Sequence, residues 1–423
     1  AEYLPEPFTW LPGEAVSDKV VKADHDEVWV YDQEALVAMQ GAGTLYISVA
    51  GKSVAYSEGI LELERRRTSL LADGPLSRAK AAAKRLMDTA DGHALWEPDI
   101  SKEHLAKMHA QELKGRSLEQ LLSAARAAEK DEREQRAQRT PLYMAFQAVA
   151  YLYPEELERL KKTLSTVDVE SMTFRVIVAA LAQIGNVESQ RVLRWMHRRY
   201  SKNLEVRVLA LSSLSDVREP TPDTVKLLLD RAQRSEHALE KHAAELGVGT
   251  MALMLRNVDP GRAAPLNAWL FGQLSEATTE ERQEDMLRAV GNSGAVGCIK
   301  VLQPFLDLDN KRLRRLAVAA LRWTPTPRAE AILLGALATD PVEEVRKASI
   351  DAFQLRPMTI AAKPVHMKAA VKDSAPAIRL GAVNNLLRMR YRHPNVVEFA
   401  LERQRMDPDE ETREKIGELL EGQ

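Results

Sequence analysis

A short phrase recurs in the last third of this chain: an acidic, helix-breaking turn, then an apolar residue, an arginine, two further residues and a small or apolar one. It reads Leu313-Arg314 with Ala317, Val345-Arg346 with Ser349, Ile378-Arg379 with Ala382, and Thr412-Arg413 with Ile416. The four arginines are 32, 33 and 34 residues apart. A fixed period of this length marks a helical repeat array, in which each helix pair buries its apolar stripe only against its neighbours. Such an array offers a surface for holding something rather than a pocket for chemistry.

Length alone, at 423 residues, suggests two or three globular domains, but solenoids escape that rule because their cores grow along one axis. Gly and Pro number 20 each and aromatic residues make up 5%, which suits Ala/Leu-rich helices better than sheets. Lys plus Arg (59) nearly cancels Asp plus Glu (61), so no broad field draws the chain to nucleic acid or anionic lipid. Cys298 is the single cysteine, which excludes an intramolecular disulfide and a cysteine-rich zinc site. No run of about 18 apolar residues indicates a membrane span. The sequence opens on Ala1 rather than Met, as removal of a signal peptide or trimming would leave it. The localisation expected on that basis leans extracytoplasmic, with cytoplasmic as the alternative.

The first 60 residues differ from the rest. Val28–Tyr31 and Thr44–Val49 are short β-branched and aromatic runs bounded by Asp, Gly41, Gly43 and Gly51, and they predict strands. Tyr3–Gly13, with its prolines, reads as an extended opening. From about Ser57 the helical period dominates, and Ser77–Thr89 and Ser117–Arg139 read as helices, the second ending in a mixed-sign charge run. Breakers then separate helix pairs at Gly185-Asn186, at Arg218–Pro222 with Asp223 as cap, at Asp259-Pro260-Gly261 and at Gly291–Gly294. A helix is expected over Ser275–Val290, another over Asp309–Trp323, and the array continues to Leu420. The expected domains are residues 1–60, an extended and β-strand segment, and residues 61–423. The fold class is all-α: a HEAT-like α–α superhelix, or solenoid, with a short N-terminal β segment.

In a stacked array the planar fork of each repeat arginine can reach the acidic turn of an adjacent repeat and hold the register. The expected ladder is Arg314, Arg346, Arg379 and Arg413 with Asp309, Asp340, Asp373 and Asp407. A basic ligand-binding stripe is the competing reading of the same arginines.

Catalytic constellations are missing from the sequence. It holds no Gly-rich phosphate loop, no GxSxG, no HExxH and no calcium loop of alternating carboxylates, so no catalytic, cofactor-binding or metal residue is assigned and no cofactor is expected. Asp24-His25-Asp26 reads as a surface turn, because neighbouring strand residues point to opposite faces. His104 with His109, and His237 with His242, are spaced by five, roughly 140° apart on a helix, and are assigned to solvent or caps. Trp195–Tyr200 mixes aromatic and basic residues; ordinary packing with a snorkelling arginine competes there with partner contact. The candidate partner contacts are Trp29, Tyr31, Tyr46, Trp195 and Arg199.

Phe174–Asn186, followed by an amphipathic helix and Arg218-Glu219-Pro220-Thr221, resembles a passage of the vitellogenin N-terminal module. Glu281–Gln283, Leu287–Gly294 and Ile299–Leu306 resemble its later segment, and the repeats of Arg314 and Arg346 fall where that family places its own. The resemblance covers roughly residues 115–390. It implies the double-layered helical horseshoe of the large lipid transfer proteins, with lipid as a ligand. The strand region is too short for that family's barrel, and the sequence ends soon after the helices. The expected function is therefore a non-enzymatic scaffold gripping a protein partner, a β-rich one among the options, on a curved face. Lipid or hydrophobic-ligand binding is the alternative. Nucleic acid is disfavoured by the balanced charge, despite the cluster Arg388, Arg390, Arg392 and His393.

Overall fold

Short polar side chains at the breakpoints start the helices. Among the residues that the computed structural model describes, 19–24, 27–32, 35–49, 52–64, 102–390 and 393–421, this pattern recurs along the whole helical portion. Ser117, Asp131, Ser171, Asn186, Asn203, Thr221, Asp259, Thr279 and Thr326 each accept a hydrogen bond from the backbone N–H three residues on. That bond satisfies a donor the helix itself leaves without a partner. Gly185 and Gly294 end two helices in the left-handed conformation, at φ 57° and 56°, where a side chain would be strained.

Two compact units divide the chain, one spanning residues 99–356 and the other residues 1–98 with 357–423. In the first, the helices in order are α1 (Lys102–Leu113), α2 (Leu118–Ala128), α3 (Glu132–Leu152), α4 (Leu157–Leu164) and α5 (Met172–Ile184). Next come α6 (Val187–Arg199), α7 (Leu204–Ser215), α8 (Pro222–Arg234), α9 (Ala238–Val258) and α10 (Pro260–Glu276). The unit ends with α11 (Glu280–Ser293), α12 (Cys298–Leu306), α13 (Lys311–Ala320), α14 (Pro327–Thr339) and α15 (Glu343–Gln354). Odd-numbered helices pack one on the next as a layer, and the even-numbered helices form a second layer on them. Phe146, Phe174, Leu193, Leu228 and Phe353 are fully buried between the layers. Each helix thus covers its apolar stripe with its neighbours along the array, as an all-α, HEAT-like solenoid requires.

Glycines set how closely the odd layer packs. A Cβ on Gly247 of α9 would lie 2.2 Å from Ser215 Oγ of α7, and one on Gly249 would lie 2.2 Å from the Ala289 carbonyl oxygen of α11. A Cβ on Gly291 of α11 would lie 2.8 Å from Ala320 Cα of α13. Close contact at these three crossings therefore exists only because the side chain is missing.

The second unit holds α16 (Ala362–Lys372), α17 (Pro376–Leu387), α18 (Asn395–Met406) and α19 (Glu410–Glu421). α17 packs on α16, α18 and α19, burying Ile378, Val383, Leu386 and Leu387. It also holds a sheet of four antiparallel strands in sequence order: β1 (Lys19–Asp24), β2 (Glu27–Asp32), β3 (Ala35–Val49) and β4 (Lys52–Glu64). Among the described residues no helix is long and apolar enough to cross a membrane.

Several expected boundaries move. Strand β4 continues past Ser57 to Glu64, carried by the alternation Leu61-Glu62-Leu63-Glu64. The stretch 117–139 is two helices, because Asp131 caps a new one and the charge run is their junction. Thr221, not Asp223, caps α8, with Pro222 in the first helical position. The helix expected from Ser275 begins at Glu280, capped by Thr279, and the one expected to reach Trp323 tightens into a 3-10 turn over Leu321–Trp323. Tyr3–Gly13, Ser77–Thr89, His25 and Asp26 lie outside the described residues.

Gly249→Ala should lower stability by about 1–3 kcal/mol, since the added methyl meets a backbone carbonyl that cannot rotate away. Gly272→Ala, on α10 where a Cβ meets nothing, should raise it by about 0.5–1 kcal/mol. Denaturant midpoints of the two variants against the parent chain check both signs.

Candidate interaction surface

The repeat arginines hold turns, and Arg314 and Arg379 each hold two. Arg314 on α13 donates from Nε to Asp340 Oδ2 at 2.8 Å and from Nη2 to Asp340 Oδ1 at 3.3 Å, while its Nη1 donates to the Leu308 carbonyl. Arg379 on α17 repeats the fork on Asp407 at 2.8 Å for both bonds, with Nη1 donating to the Asp373 and Ser374 carbonyls at 3.1 and 3.3 Å. Arg346 donates to the carbonyls of Asp340 and Pro341, and Arg413 to that of Asp407. In all four the carbonyl six residues upstream accepts. Asp340, Asp373 and Asp407 also accept from the backbone N–H two residues on, at 2.9, 2.9 and 3.0 Å, so the carboxylate that pins a turn also shapes it. Asp309 occupies a different register, because the carbonyl beneath Arg314 belongs to Leu308; it stays exposed and lends Arg314 only its field.

Burial alone would raise the Asp407 carboxyl, but the Arg379 fork outweighs it and holds the carboxyl below its ordinary range. A fifth arginine of the same kind escaped the sequence reading. Arg207 on α7 donates to the Ser201 carbonyl, six residues upstream, at 3.0 Å and pairs with Glu240 at 3.4 Å. Buried Glu240 also accepts from Ser235 Oγ at 2.5 Å and from His197 Nε2 at 2.8 Å. Desolvation lowers the His197 pKa, so the imidazole is neutral and Nε2 carries the proton it donates. The available signal was Val206-Arg207 with Ala210, the repeat phrase without an acidic turn before it.

The other candidates are scattered. Trp29 and Tyr31 lie on β2, in register with Lys22 and Val20, and Tyr46 lies on β3 opposite Tyr56. Trp195 on α6 is half-buried with Lys161 Nζ 5.9 Å from its ring, and Arg199 is exposed with its guanidinium 5.9 Å from the Tyr200 ring. Of the histidines expected at solvent or caps, His109 stacks at 4.6 Å on Tyr151 and His242 pairs with Asp285 at 3.2 Å, because both face a neighbouring helix. Among the described residues no group of histidine, cysteine and carboxylate side chains could hold a metal. Cys298 is buried beside Thr324, and burial pushes its thiol up to about 11, away from the reactive thiolate form.

Where α5 and α7 face each other the odd layer opens into a groove of about 680 Å³. Small residues line it, Ala179 and Ala182 on α5 and Ser212 and Ser213 on α7, and they leave unfilled the space that larger side chains would close. Leu209 of α7 is 37% exposed there, next to Val178 and Val206. Glu170, Arg175, Glu205, Asp216 and Arg218 supply its charges, and Arg175 is paired with Glu170. Asp216 keeps contact with solvent yet sits within the concavity, and desolvation there raises its carboxyl.

Residues 267–354 match the family model of HEAT repeats. No curated protein matches the chain. Among solved structures it is similar to a chain in the complex of CpcE and CpcF of phycocyanin lyase from Nostoc sp. PCC7120, at 17% identity over 60% of this chain and 91% of that one, with a TM-score of 0.34. A lipovitellin structure concerned with lipid–protein interactions shares 15% identity over 90% of this chain, with a TM-score of 0.44; the match spans 40% of the lipovitellin chain. A designed armadillo repeat protein shares 16% identity over 63% of this chain and 99% of its own, with a TM-score of 0.23.

Two substitutions probe these buried groups. Arg379→Ala strands Asp407, 1% exposed, without its cation and should cost about 3–5 kcal/mol in chemical denaturation. His366, fully buried between α16 and α17 with Nδ1 donating to the Ala362 carbonyl at 3.0 Å, has its pKa lowered by burial to about 4. The unfolded imidazole takes its proton near 6.5, so between about pH 6.5 and 4 the unfolded state binds more protons and stability falls as pH falls, by roughly 3 kcal/mol in all. His366→Leu should flatten that part of a stability-versus-pH curve.

Proposed function

We propose that this chain is a non-enzymatic scaffold that holds a protein partner on its helical array, with the groove between α5 and α7 as the seat. The observation that carries the reading is the groove itself. A layer that closes tightly at α7/α9, α9/α11 and α11/α13 stands open at α5/α7, over a volume typical of ligand sites. Its floor is built of small alanines and serines beside exposed Leu209 and its rim is charged, the composition of a recognition surface. Its ionisable groups are carboxylates and arginines, with no nucleophile set against a base. A β-rich partner would suit the sheet as well, by adding a strand beside β1 or β4.

The alternative is carriage of a lipid or other hydrophobic ligand, which the resemblance to the large lipid transfer proteins raises and which exposed Leu209 over Val178 and Val206 favours. The two separate experimentally. Protein retained from native extract by the immobilised chain, and lost on Leu209→Arg, supports the scaffold; stoichiometric lipid in an organic extract of the purified chain supports the alternative. Leu209→Arg should weaken retention at least about tenfold while leaving the thermal midpoint unchanged, because Leu209 is already partly exposed and a long side chain can leave its head in water. Unaltered retention by a folded variant removes the groove from this role.

A further inference from the structure

Asp216 is the C-cap of α7, at φ −88° and ψ 0°, where the helix ends its row of backbone dipoles. That end carries roughly half a negative charge, so a carboxylate is disfavoured there and a cation favoured. The residue is disfavoured a second way, since the groove walls displace part of its water while leaving it in contact with solvent. Neither cost is met among the described residues, where the Asp216 carboxylate forms no hydrogen bond or ion pair. On the facing helix Arg175 is already committed to Glu170. Along the α7 wall, Glu205 precedes Leu209 by about one turn, and Asp216 follows it by about two, so two carboxylates roughly 16 Å apart flank this exposed leucine.

We propose that the groove between α5 and α7 takes a basic, apolar segment of a protein partner, seating a lysine or arginine on Asp216 and an apolar side chain against Leu209. This rests on the scaffold reading and adds the chemistry of the partner. The charge complementarity is specific in position. A cation on Asp216 answers both the carboxylate and the α7 terminus, and a second cation about five residues away in an extended segment would reach Glu205. An acidic segment would meet two carboxylates, and an uncharged one would leave Asp216 still further desolvated.

The test uses the full chain and short fluorescent peptides of three compositions: lysine and leucine, glutamate and leucine, and serine and leucine. Phosphatidylcholine vesicles serve as competitor. Expected are binding of the lysine–leucine peptide alone, loss of about tenfold or more in affinity on Asp216→Asn, and the same loss on Leu209→Arg. The Asp216 carboxyl, followed by NMR, should titrate at lower pH when that peptide is bound. Three results overturn the inference. Equal binding of the serine or glutamate peptide, sensitive to Leu209→Arg but not to Asp216→Asn, removes the basic partner and leaves the groove as a seat. Displacement of the peptide by vesicles replaces the partner with lipid. Binding untouched by either substitution, or no binding by any peptide, removes this chemistry, and retention by the Leu209→Arg chain then decides separately whether the groove is used.

Discussion

A helix of this array can bury its apolar stripe only on the helices beside it, and everything else in the structure answers to that constraint. Because the described helices pack on their neighbours along the array, each junction between hairpins has to be specified on its own. Apolar side chains such as Phe146, Phe174 and Phe353 supply cohesion but little register, since one leucine or alanine row slides against another at modest cost. Register comes from the polar contacts. An arginine that binds the carbonyl six residues behind it and the carboxylate of the next turn fits one spacing between hairpins, and a shift by one residue breaks both.

The same locality lets one junction differ from the next. At α7/α9, α9/α11 and α11/α13 glycines bring backbones together until no methyl group fits. At α5/α7 alanines and serines are too small to fill the space, and the layer opens without disturbing the junctions on either side. The groove therefore costs the array little. Asp216 at its end is a different matter, since a carboxylate at a helix C-terminus within a concavity is locally unfavourable, and such residues are more often kept for binding than for stability.

Much of this was legible in residue spacing. The period of the arginines and the breakers at Gly185-Asn186 and Gly291–Gly294 act within one turn or one hairpin, which is the range over which sequence pattern carries physical meaning. Other features were not legible, for stated reasons. Arg207 was hidden because its acid, Glu240, lies inside a helix rather than in a turn. Asp309 looked equivalent to Asp340 but sits one residue out of register, a difference the pattern tolerates and the hydrogen bond does not. Trp195 and Arg199 drew notice for their chemistry, but their spacing does not show that half-buried Trp195 has Lys161 over its ring.

What the sequence by itself determined is the all-α repeat class, the positions of most helices and the residues able to link one hairpin to the next, because each depends on contacts among residues close in the chain. Only the tertiary structure decided where the odd layer closes and where it opens. Gly247, Gly249, Ala179 and Ser212 are all small residues in helices, and nothing local distinguishes a glycine that admits a neighbouring backbone from an alanine that lines a gap. That depends on the distance between two helices, which is set by the packing of every residue along both.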